Sequence, residues 1–207
     1  MSEHARVFVR HLRRLNGESD DEVAHGKEGR HRDAGAMAVL RRSLSFSPGA
    51  YPKAFPYVEP LIAEEEHDFG ARRRAYYLVA GLYALNPIQC DQPFAEGLGR
   101  LAQKKIRQGG SAGGMELRLM ALLGARPEGV AQYLRQLTTL LAADGRGCDH
   151  VALITDLCIW MNAHTDPDGL DRIRQRWARQ FYQLAVLVND LSADLVDVID
   201  AESSLKG

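Results

Sequence analysis

The amino-acid sequence predicts an all-α fold, a helical bundle made of two packed helical lobes. Apolar residues recur at helical spacing along most of the chain, and in the first segment Ala5, Phe8 and Leu12 fall on one face. Few segments show the alternation of polar and apolar residues that marks a half-buried strand, and those segments are short. The 207 residues, 45% of them hydrophobic, can bury a substantial core without disulfides or metal ions.

The first lobe begins with two helices separated by a polar segment. The first helix is predicted to end at Asn16-Gly17, because glycine favours chain reversal after a helix. Residues 17–32 are polar and mixed in charge, which predicts a mobile loop. A second helix is predicted from about Asp33, a candidate N-cap, to Leu44.

The rest of the first lobe contains a proline-rich connector and two further helices. Four prolines fall within residues 45–60, which predicts an extended connector rather than one regular helix. Its predicted aromatic anchors are Tyr51, Phe55 and Tyr57. The densely apolar residues 70–86 predict a central buried helix, and residues 97–108 predict a short basic helix.

A glycine-rich linker, residues 108–114, marks the predicted boundary between the lobes. We therefore predict an N-terminal helical lobe over 1–110 and a C-terminal helical bundle over 111–207. The second lobe is predicted to hold four helices, over about 115–124, 127–143, 150–163 and 168–189. The last helix could continue into residues 190–207. This segment is acidic, with five acids and one base.

Cysteine usage and charge indicate the compartment. Three widely spaced cysteines fit reduced thiols in a cytoplasmic protein better than a disulfide framework. No apolar run is long enough to cross a bilayer, and the first fifteen residues are too charged for a signal peptide. We therefore expect a cytoplasmic protein without a membrane partner.

Two short motifs contain residue types that enzyme or metal sites use. His67-Asp68 resembles the metal-binding pair of all-helical phosphohydrolases, but one pair cannot complete a coordination sphere. Cys148-Asp149-His150 could be a thiol or zinc site, yet helix capping by Asp149 and packing of Cys148 explain it as well. The glycine-rich segments lack phosphate-loop spacing. We therefore predict no catalytic residue, no metal and no cofactor.

The segment 171–183 concentrates positive charge on one predicted helix. Ile173, Trp177 and Phe181 share its apolar face, so Trp177 is predicted to belong to the core. Three arginines fall on the opposite side: Arg172, Arg176 and Arg179. Like charges at this spacing repel, and no acid is interleaved on that face, so an external anion would relieve the repulsion. A solvated outer face explains the same pattern equally well.

The same layout recurs along the chain. Of the 26 bases, 21 are arginine, whose planar guanidinium matches phosphate geometry. Further basic clusters are Arg41-Arg42, Arg72-Arg73-Arg74 and Lys104-Lys105-Arg107. Setting aside residues 190–207 leaves 25 bases against 22 acids, so near-neutrality does not exclude nucleic-acid binding. No base-reading motif accompanies the clusters, which predicts binding without sequence preference.

The order of these elements resembles the CasB family, the small subunit of the type I-E CRISPR surveillance complex Cascade. The resembling stretches include FVRHLRRL, AVLRRSLSFSPGAYPKAFPYVEP, YYLVAGLYAL, GLGRLAQ, MELRLMALLGARPEGVAQYLRQLTTLL, CDHVALITDLCIWMN and IRQRWARQFY, between residues 6 and 183. The loop 17–32 and the residues after 189 are not part of the resemblance.

The resemblance implies an all-helical subunit that is not an enzyme. In that family two copies lie within the complex beside the backbone and large subunits. They help to hold the heteroduplex of CRISPR RNA and target DNA, and they offer the displaced DNA strand a basic track. The family's basic residues best match Arg41, Arg42, Arg72 or Arg73, Arg118, Arg126 and Arg135. The arginines of 172–179 match in pattern only.

Three hypotheses follow from the sequence. The first is a subunit of an RNA-guided antiviral complex whose basic surfaces bind nucleic acid. The second is a helical adaptor whose arginines serve protein interfaces, where arginine is also enriched. The third is a metal-dependent hydrolase built on His67-Asp68.

Overall fold

The computed structural model describes residues 2–18, 31–62, 70–162 and 166–184, and within these ranges the protein is all-α, as predicted. The only extended pairing among the described residues is an isolated parallel bridge between Gln89 and Cys148. No helix in the described ranges is long and apolar enough to cross a membrane.

The first two helices form where the sequence predicts them. Helix α1 covers Ser2–Leu15, and the chain turns at Gly17 just after it, whose φ of 87° suits a residue without a Cβ. Helix α2 covers Ala34–Ser43, and the carboxylate of Asp33 accepts a 2.8 Å hydrogen bond from the Ala36 backbone N–H. Asp33 therefore acts as the predicted N-cap.

The proline-rich connector differs from the prediction. It is not extended but folds into three short helical turns, over Pro52–Ala54, Phe55–Val58 (α3) and Glu59–Leu61. Each turn carries proline at its first or second position, where the missing N–H and the fixed φ suit a helix start. The aromatic anchors were predicted correctly, since Tyr51, Phe55 and Tyr57 pack against the core.

Helix α4, Ala71–Leu85, is the central helix of the bundle. Its residues from Ala75 to Ala84 are all buried, and it packs against α2 and two later helices. Helix α5, Phe94–Arg107, starts three residues before the predicted position because buried Phe94 and Ala95 already belong to its inner face. The segment 97–100 therefore lies inside a helix and not at its start.

Four helices complete the described fold. Helix α6 covers Gly113–Leu123, α7 covers Val130–Ala143 and α8 covers His150–Trp160. A ninth helix, α9, is described over 167–184. The carboxylate of Asp149 caps α8 by accepting hydrogen bonds from Val151 N and Ala152 N at 2.9 and 3.1 Å. The capping explanation of Asp149 is therefore confirmed.

One apolar cluster of buried side chains joins helices from both predicted lobes. It includes Phe8 of α1, Tyr83 of α4, Leu137 of α7 and Phe181 of α9. Helix α4 packs directly against α7 and α8, and α1 also packs against α8. The division at residues 110 and 111 stays a prediction about chain organisation.

Helix α9 packs between α5, α6 and α8. Trp177, which is 2% exposed, lies 5.6 Å from the Phe94 ring of α5 and 5.3 Å from the Trp160 ring of α8. Further along, Gly99 of α5 approaches the backbone of α9 so closely that a Cβ there would lie 2.8 Å from the Phe181 carbonyl oxygen. The prediction that Trp177 belongs to the core is confirmed.

Candidate nucleic-acid interface

Several predicted bases converge where α2, α4, α5 and α7 end. The guanidinium of Arg41 donates a 3.0 Å hydrogen bond to the Ala84 carbonyl near the end of α4. Two residues further on, the amide of Asn86 donates to the Arg146 carbonyl at 2.7 Å. These bonds place the turn after α7 next to the last turn of α2.

The carboxylate of Asp144 links this turn to α5. It accepts hydrogen bonds from Lys104 Nζ and, at 2.6 Å, from Arg146 Nε. The hydrogen bond from Lys104 holds the pKa of Asp144 below its ordinary value, and Arg146 acts in the same direction. Asp144 therefore stays ionised and partly neutralises the two bases.

The linker brings α6 to the same end of the bundle. The Gly110 backbone N–H donates a 2.9 Å bond to the Lys105 carbonyl, so the chain turns back directly after α5. The Arg118 guanidinium folds along α6 and donates to the Gly114 carbonyl at 2.6 Å. We name this surface the basic end; its members are Arg41, Arg42, Lys104, Lys105, Arg107, Arg118 and Arg146.

Three members of the basic end form neither an ion pair nor a side-chain hydrogen bond within the described ranges. Arg42 and Arg107 are exposed, Lys105 is half-buried, and none of them forms an ion pair with any residue in the described ranges. Bases near helix C-termini also offset the helix dipole, which gives each a modest structural benefit. This benefit explains each base by itself, but it does not explain why the basic ends of several helices meet in one place.

A second basic group lies at the start of α4, about 20 Å from its other end at 1.5 Å per residue. Arg73 pairs with Glu59 and lies over the rings of Phe55 and Tyr77, so only 13% of its side chain is exposed. Arg72 lies 5.7 Å from the Tyr76 ring centre, and Arg126 is exposed. The charge of Arg73 is thus already engaged within the protein.

The arginines of α9 differ from the prediction in one respect. The sequence shows no acid interleaved on that face of the helix, but the fold supplies one from α8, because Asp156 forms an ion pair with Arg176. Asp166 also lies 3.8 Å from Arg172. Arg179 of α9 and Arg135 of α7 are exposed and form no ion pair within the described part of the chain.

The thiol site considered from the sequence is a packed, buried pair. His150 donates through Nδ1 to the Gln89 side-chain oxygen at 2.9 Å, and its Nε2 lies 3.7 Å from Cys148 Sγ. Burial lowers the pKa of His150 to about 4 and raises the pKa of the Cys148 thiol. The structure thus accounts for both residues by packing.

Metal ligation finds no support in the described ranges, where no three His, Cys, Asp or Glu side chains are placed to share an ion. His67 and Asp68 lie outside the described residues. The basic end also contains one residue that sequence reasoning missed. Arg146 stands alone between two glycines, and only the folded turn brings it beside Lys104.

Comparison with known proteins identifies the family. Residues 36–182 match the family model of CRISPR-associated protein Cse2. A CRISPR-associated protein Cse2 of Thermus thermophilus is 40% identical over 147 residues, which cover 71% of this chain and 78% of that protein.

Solved structures share the fold. The crystal structure of CasB from Thermus thermophilus has a TM-score of 0.63 at 34% identity, covering 86% of this chain and 97% of that one. A chain of a CRISPR RNA-guided surveillance complex has a TM-score of 0.62 at 22% identity, covering 92% and 98%, which shows the fold alone. The resemblance to CasB predicted from the sequence is confirmed: the chain belongs to the Cse2 family of CRISPR-associated proteins.

Proposed function

We propose that this protein is a non-catalytic small subunit of an RNA-guided CRISPR complex and binds nucleic-acid phosphates through its basic end. The observation that carries the proposal is that Arg42 of α2 and Lys105 and Arg107 of α5, none with an ion pair in the described ranges, lie on helix ends that hydrogen bonds join through α4 and the turn after α7. Family membership and the likeness to a chain of a surveillance complex support a role as a subunit.

Binding of phosphates without sequence preference suits an RNA-guided system. Base pairing between CRISPR RNA and target DNA supplies sequence specificity, so a subunit needs only to bind backbone and favour the strand exchange. Arginine and lysine bind phosphates of any sequence, and the affinity depends steeply on salt. The proposed ligands are the displaced DNA strand and the guide–target heteroduplex.

Other candidate bases would lengthen this surface towards the start of α4 and along α7 and α9. They are Arg72, Arg126, Arg135, Arg172, Arg176 and Arg179. Arg73 contributes least to this proposal because Glu59 already neutralises it. The proposed partners are the backbone and large subunits, and a second copy of this chain, in the cytoplasm.

The test replaces together the three bases of this surface that have no ion pair or side-chain hydrogen bond in the described ranges, as Arg42→Glu, Lys105→Glu and Arg107→Glu. The assembled complex carrying this variant is expected to bind target DNA at least about tenfold more weakly at about 150 mM salt, with a shallower salt slope. The measurement is a titration of labelled target DNA at several salt concentrations.

The control matches the change in charge elsewhere. Arg6, Arg10 and Lys53 are exposed bases outside the proposed surface, and their reversal to glutamate should leave affinity within about twofold. Equal losses in both variants would show that net charge alone matters. An unchanged affinity and salt slope in the first variant would refute the phosphate-binding role.

A second candidate function, that of a protein adaptor, is favoured by one observation on α6. Leu117 is 73% exposed and Met120 is 51% exposed, one turn apart on the same face. Exposed apolar residues at this spacing suit contact with another protein. Replacement of both by serine should reduce assembly into the complex while leaving the binding of single-stranded DNA by the isolated protein unchanged, which separates the two functions.

A further inference from the structure

The acidic segment, residues 185–207, leaves the described fold beside the basic end. Two contacts show that α9 runs parallel to α5: Trp177 meets Phe94, and Phe181 then meets Gly99. Lys105 lies six residues beyond Gly99, about 9 Å along the axis, and Leu184 lies about 4.5 Å beyond Phe181. The chain therefore leaves the described part about one helical turn short of Lys105.

Contacts with α6 independently locate the same exit. Arg174 donates to the Ala125 carbonyl at 3.3 Å, and Tyr182 Oη donates to Glu116 at 2.8 Å. Helix α9 is therefore antiparallel to α6, and its last described residues lie at the start of α6. The linker joins this end of α6 to the last turn of α5, where Lys104, Lys105 and Arg107 stand.

The acidic segment has the charge and the length to bind the basic end. Its acids are Asp190, Asp194, Asp197, Asp200 and Glu202, against one base, Lys206. The six residues 185–190 can span up to about 20 Å when extended, which is more than the separation from Lys105. Because both partners belong to one chain, their effective concentration is in the millimolar range.

We propose that the acidic segment binds the basic end of its own chain and competes there with nucleic-acid phosphates. The contact is electrostatic, between the carboxylates from Asp190 onwards and the bases Lys105, Arg107 and Arg118. The competition rests on the proposed function, whereas the contact within the chain does not. The segment would lower non-specific binding until a strand of sufficient charge displaces it.

The binding test uses the full chain with Asp190→Asn and Asp194→Asn, measured by fluorescence anisotropy with a single-stranded DNA of about 30 nucleotides. Affinity at about 50 mM salt is expected to rise about threefold, and the gain should shrink at about 200 mM as salt screens the contact. The control removes two exposed acids elsewhere, Asp91→Asn and Glu128→Gln, and should change affinity much less.

A second measurement detects the contact without relying on nucleic acid. Carbodiimide joins carboxylates to amines in direct contact, and the Lys104–Asp144 pair serves as the internal positive control. Cross-links from Lys105 to Asp190 or Asp194 are expected within single chains, as mixed isotope-labelled copies would show. Their formation in a protein that binds no DNA would support the contact while the proposed function fails.

Two outcomes would overturn the proposal. In the first, the protein binds DNA but the asparagine variant gains no affinity, and no cross-link to Lys105 appears although the control cross-link between Lys104 and Asp144 forms. The other is cross-links found only between different copies, which would assign the acidic segment to a neighbouring chain instead.

Discussion

Removing the charge of Asp144 should strengthen nucleic-acid binding, a gain of function that follows directly from the geometry. Lys104 and Arg146 both donate to this carboxylate, so each is partly neutralised before any phosphate arrives. In Asp144→Asn the amide is similar in size but neutral. Both bases then become free to contact phosphates.

The expected magnitude can be worked from the number of bases released. Each phosphate contact on a single strand adds about 0.7 to the slope of log affinity against log salt. One or two new contacts therefore steepen the slope by about 0.7 to 1.4. Between about 50 and 200 mM salt the variant should lose about threefold to sevenfold more affinity than the parent, starting from tighter binding at the lower concentration.

Fluorescence anisotropy of the same labelled strand across this salt range measures the slope. Folding stability should fall by less than about 1 kcal/mol, because the ion pairs are partly exposed. Asp91→Asn, at an exposed acid, is the control for net charge. A slope equal to the parent's, with affinity raised no more than in the control, would refute a role for Lys104 and Arg146.

Two further predictions concern the fold. Gly99→Ala should destabilise the protein by about 1–3 kcal/mol in denaturant titrations, because its Cβ would press on the Phe181 carbonyl. Gly124→Ala should change stability little, because its Cβ would lie 3.6 Å from the Met120 carbonyl oxygen, an ordinary contact distance. Burial holds the pKa of His150 at about 4, below its ordinary 6.5, so the unfolded chain takes up this proton first as pH falls. The free energy of unfolding should therefore drop by about 2 kcal/mol from about pH 7 to pH 5. His150→Gln should flatten this pH dependence. The control His31→Gln, at an exposed histidine, should leave it unchanged.

Local patterns predicted the helices well because each depends on neighbouring residues. Helical spacing located α1, α4 and α9, and the cap residues Asp33 and Asp149 marked two helix starts. The proline-rich connector was mistaken for an extended chain because proline disfavours a helix interior yet suits the first turn. Three short turns, each starting near a proline, satisfy both tendencies.

The composition of the candidate site depended on contacts between distant residues, which spacing cannot reveal. Glu59 lies in the connector, and only folding places it against Arg73. Arg146 lacks basic neighbours in sequence and joins the basic end through the turn after α7. Sequence clusters therefore identified most of the bases, but they could not tell which charges the protein itself neutralises.

The carboxylate of Asp156 fixes the rotation of α9 about its own axis. It accepts hydrogen bonds from Arg176 on the outer side and, at 2.7 Å, from the indole N–H of Trp177 on the core side. Turning the helix in either direction would lengthen one of these bonds. Arg172 and Arg179 are seven residues apart, so their separation along the helix axis is fixed at about 10 Å. A strand lying along α9 would have to match that spacing, since the helix cannot swivel to meet it.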